Sequence, residues 1–421
     1  MPTKLISRIA VVVLMLWLVR PAFAQQDVIA EIHVHGNTVT STDDILRLAG
    51  LTIGDPFSED QLRQAVERLR ATNTFERVDV LKRYASIDDP TRIAVVVLVD
   101  EGPARIVIEE TETGNVTRVV RGRLWNLMFI PILSAEDGYG LTYGARFSLV
   151  DVAGRDSRLS FPLTWGGDKA AAGELEKDFG GRGTPLLTGG AMVQRRAHPF
   201  YDEDADRTRI WARADWQLNR SVRVGTTGAW EEVSFLGDRV ATPLIGGDVV
   251  FDTRLDPMLP RNALYARAAI ENVRLPDRPL IRTELEGRGY LGVGGQRVLV
   301  LRALRQNADR SAPPYYQWIL GGDRNLRGFK AGTSVGDTLV AASAELRAPL
   351  SSPLRVAKLG VNIFVDTGVT YNEGQRLTEQ PFETGTGAGV WLAAAVVQLH
   401  LEVAHGFGAG TRAHFGMGFT F

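Results

Sequence analysis

From about residue 138 to residue 421 the chain repeats one pattern. Segments of roughly ten residues alternate apolar and polar side chains, and Gly, Asp, Asn and Pro break them apart. Period-two alternation sends the two sets to opposite faces of a strand. Val397, Leu399, Leu401 and Val403 alternate with Gln398, His400, Glu402 and Ala404. Leu264, Ala266, Ala268 and Ile270 alternate with Tyr265, Arg267, Ala269 and Glu271. Arg282, Glu284, Glu286 and Arg288 share one face, opposite Ile281, Thr283, Leu285 and Gly287. In a water-soluble sheet the charged face would look outward. In a transmembrane barrel the apolar face meets lipid and the charged face lines the lumen. Such a sheet must close, because an unpaired backbone amide in lipid costs several kcal/mol. Sixteen candidate strands run from 138–150 to 412–421, one of them placed at 314–320. An even count brings both ends of the sheet to the same side of the membrane.

The N-terminus decides between the two readings. Lys4 and Arg8 precede the apolar run Ile9 to Val19, and Ala22-Phe23-Ala24 is an Ala-x-Ala cleavage site. This is a signal peptide over residues 1–24. No later stretch is apolar for the 18 or more positions that a membrane-spanning helix requires. The mean hydropathy of −0.05 resembles a soluble protein. It is also what results when each strand averages a lipid face with a charged lumen face. The 421 residues include no cysteine, which excludes a disulfide scaffold, a thiol nucleophile and a thiolate metal site. A net charge of −1 offers no basic surplus for nucleic acid.

Residues 27–103 read as a small α/β domain. Val28 to Val34 is a strand ended by Gly36-Asn37. Ser41 or Thr42 caps a helix carrying Ile45, Leu46 and Leu48. Ser58-Glu59-Asp60-Gln61 has the form of a capping box. Leu62, Ala65, Val66 and Leu69 then form the apolar face of a second helix. Phe75, Val78 and Val80 begin a second strand, and Ile93 to Val99, apolar on both faces, suits a central one. His33 and His35 alternate onto one face, with no third metal ligand nearby. Residues 104–137 read as a crossing into the barrel, with Ile106 to Glu110 strand-like and Leu127 to Leu133 apolar.

The strand–helix–helix–strand–strand order resembles the polypeptide-transport-associated (POTRA) domain of outer-membrane transport proteins. The residues that carry the likeness are Ile32 to Asn37, Gly54-Asp55-Pro56-Phe57, Thr74 to Val78, and Val97 to Pro103. Three barrel segments resemble the BamA-like (Omp-eighty-five) superfamily of outer-membrane assembly and translocation proteins, also called bacterial surface antigens. The first is Phe251-Asp252-Thr253-Arg254-Leu255-Asp256-Pro257 with Pro260 and Arg261. The second is Gly321 to Phe329, which contains the Arg327-Gly328-Phe329 motif. The third is Phe364-Val365-Asp366-Thr367-Gly368, on the second strand after that loop. The resemblance implies that the loop folds back into the barrel and that Arg327 pairs with Asp366. Alternation agrees, since Asn362, Phe364 and Asp366 share a face opposite Val361, Ile363 and Val365. Glu345 and Arg347, on one face of the intervening strand, are expected to extend the network. Phe415, Met417, Phe419 and Phe421 resemble the C-terminal recognition signal of outer-membrane barrels.

The expected fold is an all-β barrel of 16 antiparallel strands over 138–421 with one periplasmic POTRA domain over 27–103, in a bacterial outer membrane. The resemblance implies a factor that inserts or exports unfolded polypeptide clients. The first and last barrel strands would form a lateral seam, and accessory periplasmic proteins and outer-membrane lipid would be partners. The alternative is a passive pore for small solutes. The residues suggest no enzyme. His198, His400, His405 and His414 belong to no recognisable hydrolase motif, although His400 and Glu402 share a face. No cofactor or metal is expected.

Overall fold

The computed structural model describes residues 27–419. Excepted are 38–39, 73, 76, 86–88, 90, 101–103, 112–113, 122–126, 137, 155, 181–182, 255–258, 352–356 and 395–396. The signal peptide over 1–24 and Phe421 lie outside the described residues. The chain divides into two compact units, Met1–Glu101 and Gly102–Phe421.

The first unit contains β1 (Val28–His35), α1 (Thr42–Ala49), α2 (Glu59–Ala71), β2 (Arg77–Tyr84) and β3 (Arg92–Asp100). The sheet order is β1-β3-β2, with β1 parallel and β2 antiparallel to β3. The central strand is β3, where Ile93, Val95 and Val97 are fully buried and Ala94 and Val96 nearly so. Both helices lay apolar faces on it through Ile45, Ala49, Ala65 and Leu69. Ser41 caps α1 by accepting the Asp44 amide at 3.2 Å, and Gly50 ends it in the left-handed region. Only half of the capping box forms at α2. Ser58 accepts the Gln61 amide at 3.2 Å, while the Gln61 side chain turns to Asp55.

The second unit opens with a separate hairpin, β4 (Ala104–Thr111) and β5 (Gly114–Arg121). A 16-stranded sheet follows. Its first strands are β6 (Leu127–Glu136), β7 (Gly140–Val150), β8 (Ser157–Gly166), β9 (Asp168–Lys177) and β10 (Leu186–His198). Next come β11 (Glu203–Gln217), β12 (Val222–Phe235), β13 (Asp238–Asp252), β14 (Ala263–Arg274), β15 (Pro279–Gly292) and β16 (Val298–Ala308). After a long loop come β19 (Thr338–Ser351), β20 (Ala357–Tyr371), β21 (Glu383–Ala394), β22 (Val397–Gly406) and β23 (Gly410–Phe419). Every neighbouring pair is antiparallel. The loop holds its own small hairpin, β17 (Trp318–Leu320) with β18 (Ser334–Gly336).

Two strands differ from the sequence reading, and the differences cancel in the count. Residues 314–320 are a short 3-10 turn and β17, which pairs with β18 inside the loop rather than with the barrel wall. The first barrel strand is β6, within the segment read as a crossing, and not 138–150. Its core, Phe129-Ile130-Pro131-Ile132-Leu133, is apolar on both faces and so carries no alternation.

Burial on the wall is inverted relative to a soluble sheet. Leu401 is 51% exposed and Glu402 beside it 5%; Ile363 is 58% exposed and Asp366 3%. The outward row suits lipid, and the charges pair inside. Arg213 reaches Asp215 at 2.6 Å and Asp248 at 2.7 Å, Arg302 reaches Glu286 at 2.6 Å, and Arg267 pairs with Glu284. The ends of the sheet, β6 and β23, lie side by side, and among the described residues no ladder joins them.

Candidate functional site

The loop over residues 309–337 enters the lumen and is held at two places. Its tip carries Arg327, whose guanidinium meets Asp366 of β20 in a two-point contact. Nε donates to Oδ2 at 2.7 Å and Nη2 to Oδ1 at 2.9 Å. The Arg327 backbone N–H adds a third bond to Oδ2 at 3.1 Å. The remaining nitrogen, Nη1, donates at 3.0 Å to Glu345 of β19 and at 3.0 Å to Glu402 of β22. A planar fork with five donors serves all three carboxylates at once, which a lysine point charge would not do. The guanidinium lies on the Phe364 ring at 3.4 Å.

Each surrounding residue is set by the alternation of its strand. Ser343 and Glu345 point inward from β19, and Ser343 Oγ donates to Asp366 at 2.6 Å. Asn362 points inward from β20 and donates to Glu402 at 2.6 Å and to Glu345 at 3.2 Å. Arg347 holds the other side of Glu345 at 2.6 Å. Three carboxylates thus share two arginines in a buried cluster, where a lone charge would be costly.

Two glycines let the loop backbone reach the wall. Gly328 has φ +92, and a β-carbon there would lie 2.6 Å from the backbone nitrogen of Gly406. Gly385 of β21 faces the loop from below, where a β-carbon would stand 2.0 Å from the Arg327 carbonyl oxygen. The Gly328 N–H donates to His414 Nε2 of β23 at 3.0 Å. Phe329 is buried against Leu304, Leu320, Leu326, Leu339 and Ala341. Gly368 sits beneath Leu320.

The second hold is at the loop's stem. Tyr316 donates its hydroxyl to Glu231 of β12 at 2.9 Å and packs among Leu244, Val273 and Leu280. Arg282 lies over the rings of Trp318 at 4.0 Å and Tyr316 at 5.3 Å. The loop therefore spans from the β12–β15 wall to the β19–β23 wall.

The structure brings Arg327, Gly328, Phe329, Phe364, Asp366, Gly368, Glu345 and Arg347 together. Of the C-terminal set, Phe415 faces outward, away from this cluster, and Met417 and Phe419 hold alternate positions of β23. In the mid-barrel segment Asp252 accepts from Arg254 at 2.9 and 2.7 Å, while 255–258 lie outside the described residues. Sequence reasoning missed Glu402, His414, Asn362 and Tyr316 as members of this constellation. The shared face of His400 and Glu402 was the available signal, but only the closed wall brings Glu402 under a loop 75 residues away.

Comparison with known proteins agrees with this geometry. The Omp85 superfamily domain matches residues 215–421, and POTRA, a surface antigen variable number repeat, matches 28–102. The chain belongs to the Omp85 superfamily. Among solved structures it is similar to BamA from Haemophilus ducreyi lacking POTRA domains 1–3 (TM-score 0.61, 13% identity, 94% of this chain and 84% of that one). It is also similar to CdiB from Acinetobacter baumannii (TM-score 0.53, 13% identity, 94% and 74%) and CdiB from Escherichia coli (0.52, 11%, 96% and 93%). No curated protein matches it in sequence. The chain is an outer-membrane β-barrel whose POTRA domain lies in the periplasm. At the level of its family, its work is protein insertion or secretion at that membrane.

Proposed function

We propose that this protein delivers unfolded polypeptide clients into or across the outer membrane, with the POTRA domain receiving them and the β6–β23 seam admitting them. The observation that carries the reading is the pairing of a strongly held lumen loop with a sheet whose two ends meet without a ladder. A wall braced from inside keeps its shape while one edge stays available. An extended client strand that pairs with such an edge satisfies its own backbone as it enters lipid. The POTRA sheet offers an edge on β2, while the start of the β1 edge is bonded to residues 54–57. No nucleotide is required, because strand pairing and burial in lipid drive the step. Clients, outer-membrane lipid and accessory periplasmic proteins are the partners this reading calls for.

A second reading, a passive pore, draws on the charged lumen pairs such as Arg267–Glu284 and Arg302–Glu286. The loop crossing the same lumen weighs against it. Depletion of the protein followed by quantitative outer-membrane proteomics tests the proposal. Selective loss of barrels or surface proteins is expected. An unchanged proteome with altered solute permeability would overturn it.

A further inference from the structure

Prolines in the barrel wall reveal which way a strand's amides point. Successive residues of a strand aim their N–H and C=O at opposite neighbours, so a proline deletes a donor on one side only. Pro162 of β8 keeps its pairing with β7 intact, at Arg146. On its other side the β8–β9 ladder runs from Ser157 to Ser160, skips Phe161 and Pro162, and resumes at Leu163. Pro243 of β13 pairs with Trp230 of β12, and the β13–β14 ladder begins only after it, at Leu244. In both strands the ladder is lost where the prolyl nitrogen points.

Pro131 lies in the middle of β6, opposite Ala145 of β7. Here the β6–β7 ladder is continuous from Leu127 through Glu136. The missing N–H of Pro131 therefore points the other way, toward the seam with β23. Phe129 and Leu133 share that parity and supply the seam-facing donors on either side. They are four residues apart, about 13 Å along the strand, where an ordinary antiparallel edge presents a donor about every 7 Å. The proline ring faces outward and meets no crowding from the lumen.

We propose that Pro131 is a built-in gap in the seam edge of β6, which keeps β6 from zipping onto β23 and leaves that edge open to an incoming client strand. It is a positioning residue, and its role rests on the lateral-seam reading above. Any partner strand laid on this edge finds one acceptor at mid-strand with no donor opposite, so pairing nucleates beside Phe129 or beside Leu133 and does not propagate freely between them. Proline on an edge strand is a known device for blocking unwanted pairing. Here it stands on the edge that must pair and release.

Pro131→Val restores the donor and keeps an apolar, strand-favouring side chain toward lipid. Hydrogen exchange over 127–136, measured on the full-length barrel in lipid nanodiscs, is expected to slow at Phe129 and Leu133 by tenfold or more. In cells whose sole copy is Pro131→Val, client barrels or surface proteins are expected to fall several-fold. Exchange unchanged from wild type would overturn the proposal. Slowed exchange with an unchanged outer-membrane proteome would also overturn the client role, and would place the failure in the lateral-seam reading rather than in the orientation of Pro131. Two further variants check that orientation by the yield of folded barrel. Leu133→Pro, on the seam edge, should retain it. Ile132→Pro, facing β7, should lose it. The reverse result would overturn the proposal.

Discussion

The wall under the loop and the seam between β6 and β23 belong to one barrel sheet and are held in opposite ways. Under the loop, Arg327 ties β19, β20 and β22 together through Glu345, Asp366 and Glu402. Every ladder there is continuous or nearly so. At the seam, no ladder is present among the described residues, and β6 presents an interrupted row of donors. The two regions meet in β23, where His414 accepts the Gly328 N–H. The β23 border of the seam is therefore pinned to the lock, while on the β6 side the loop comes close only at Gly138, beside Ala331, among the described residues. With β23 tied to the lock, opening of the seam is expected to displace β6 rather than the wall that carries the lock. A barrel can be stiff over most of its circumference and labile along one line.

The contrast is sharpest if the lock is removed. Arg327→Ala leaves Asp366, Glu345 and Glu402 converging without the guanidinium that joins them, with Arg347 still on Glu345. Breaking a buried ion pair from one side costs about 3–5 kcal/mol. The heat-modifiable folded band on semi-native gels is expected to drop sharply. Asp366→Ala should do nearly the same, and the exchanged pair Arg327→Asp with Asp366→Arg should recover part of the loss. Wild-type yield and function in both single variants would remove the lock from the account. Gly385→Val breaks the same contact without touching a charge. Its side chain would collide with the Arg327 carbonyl, an overpacking cost of up to about 3 kcal/mol. Proteolysis of the loop in the intact barrel should accelerate, and resistance equal to wild type would contradict the close approach. Tyr316→Phe deletes only the hydroxyl bond to Glu231, about 1.5 kcal/mol for a bond to a charged group. It should lower the unfolding temperature modestly and leave the tip lock in place. Smallest of all, Arg47→Ala in α1 removes a pair with Asp44 that both partners make in solvent. It should change neither folding nor client levels, and a large effect would mean that the POTRA surface binds there.

The sequence carried the barrel because lipid and lumen impose opposite demands on alternate residues. Where those demands fade, so did the reading. Asp238 to Thr242 extend β13 beyond the apolar run that marks 246–252. β6 lacks alternation because its inward residues Ile130 and Ile132 are as apolar as its outward Phe129 and Leu133. Trp318-Ile319-Leu320 is a strand, as its composition suggests, but composition does not say which partner it takes. At the site, the Arg327–Asp366 pair was legible through two motifs. Glu402 and His414 were not, because their place under the loop depends on the wall closing around it.

A loop locked across the lumen blocks an open channel, and the proposed route through the seam depends on that block. Single-channel conductance in planar bilayers tests it most directly, comparing wild type, Arg327→Ala and a form lacking loop residues 309–337. Low conductance is expected for wild type, with a rise in Arg327→Ala toward the loop-deleted value. A wild-type conductance already equal to that of the loop-deleted barrel would contradict it.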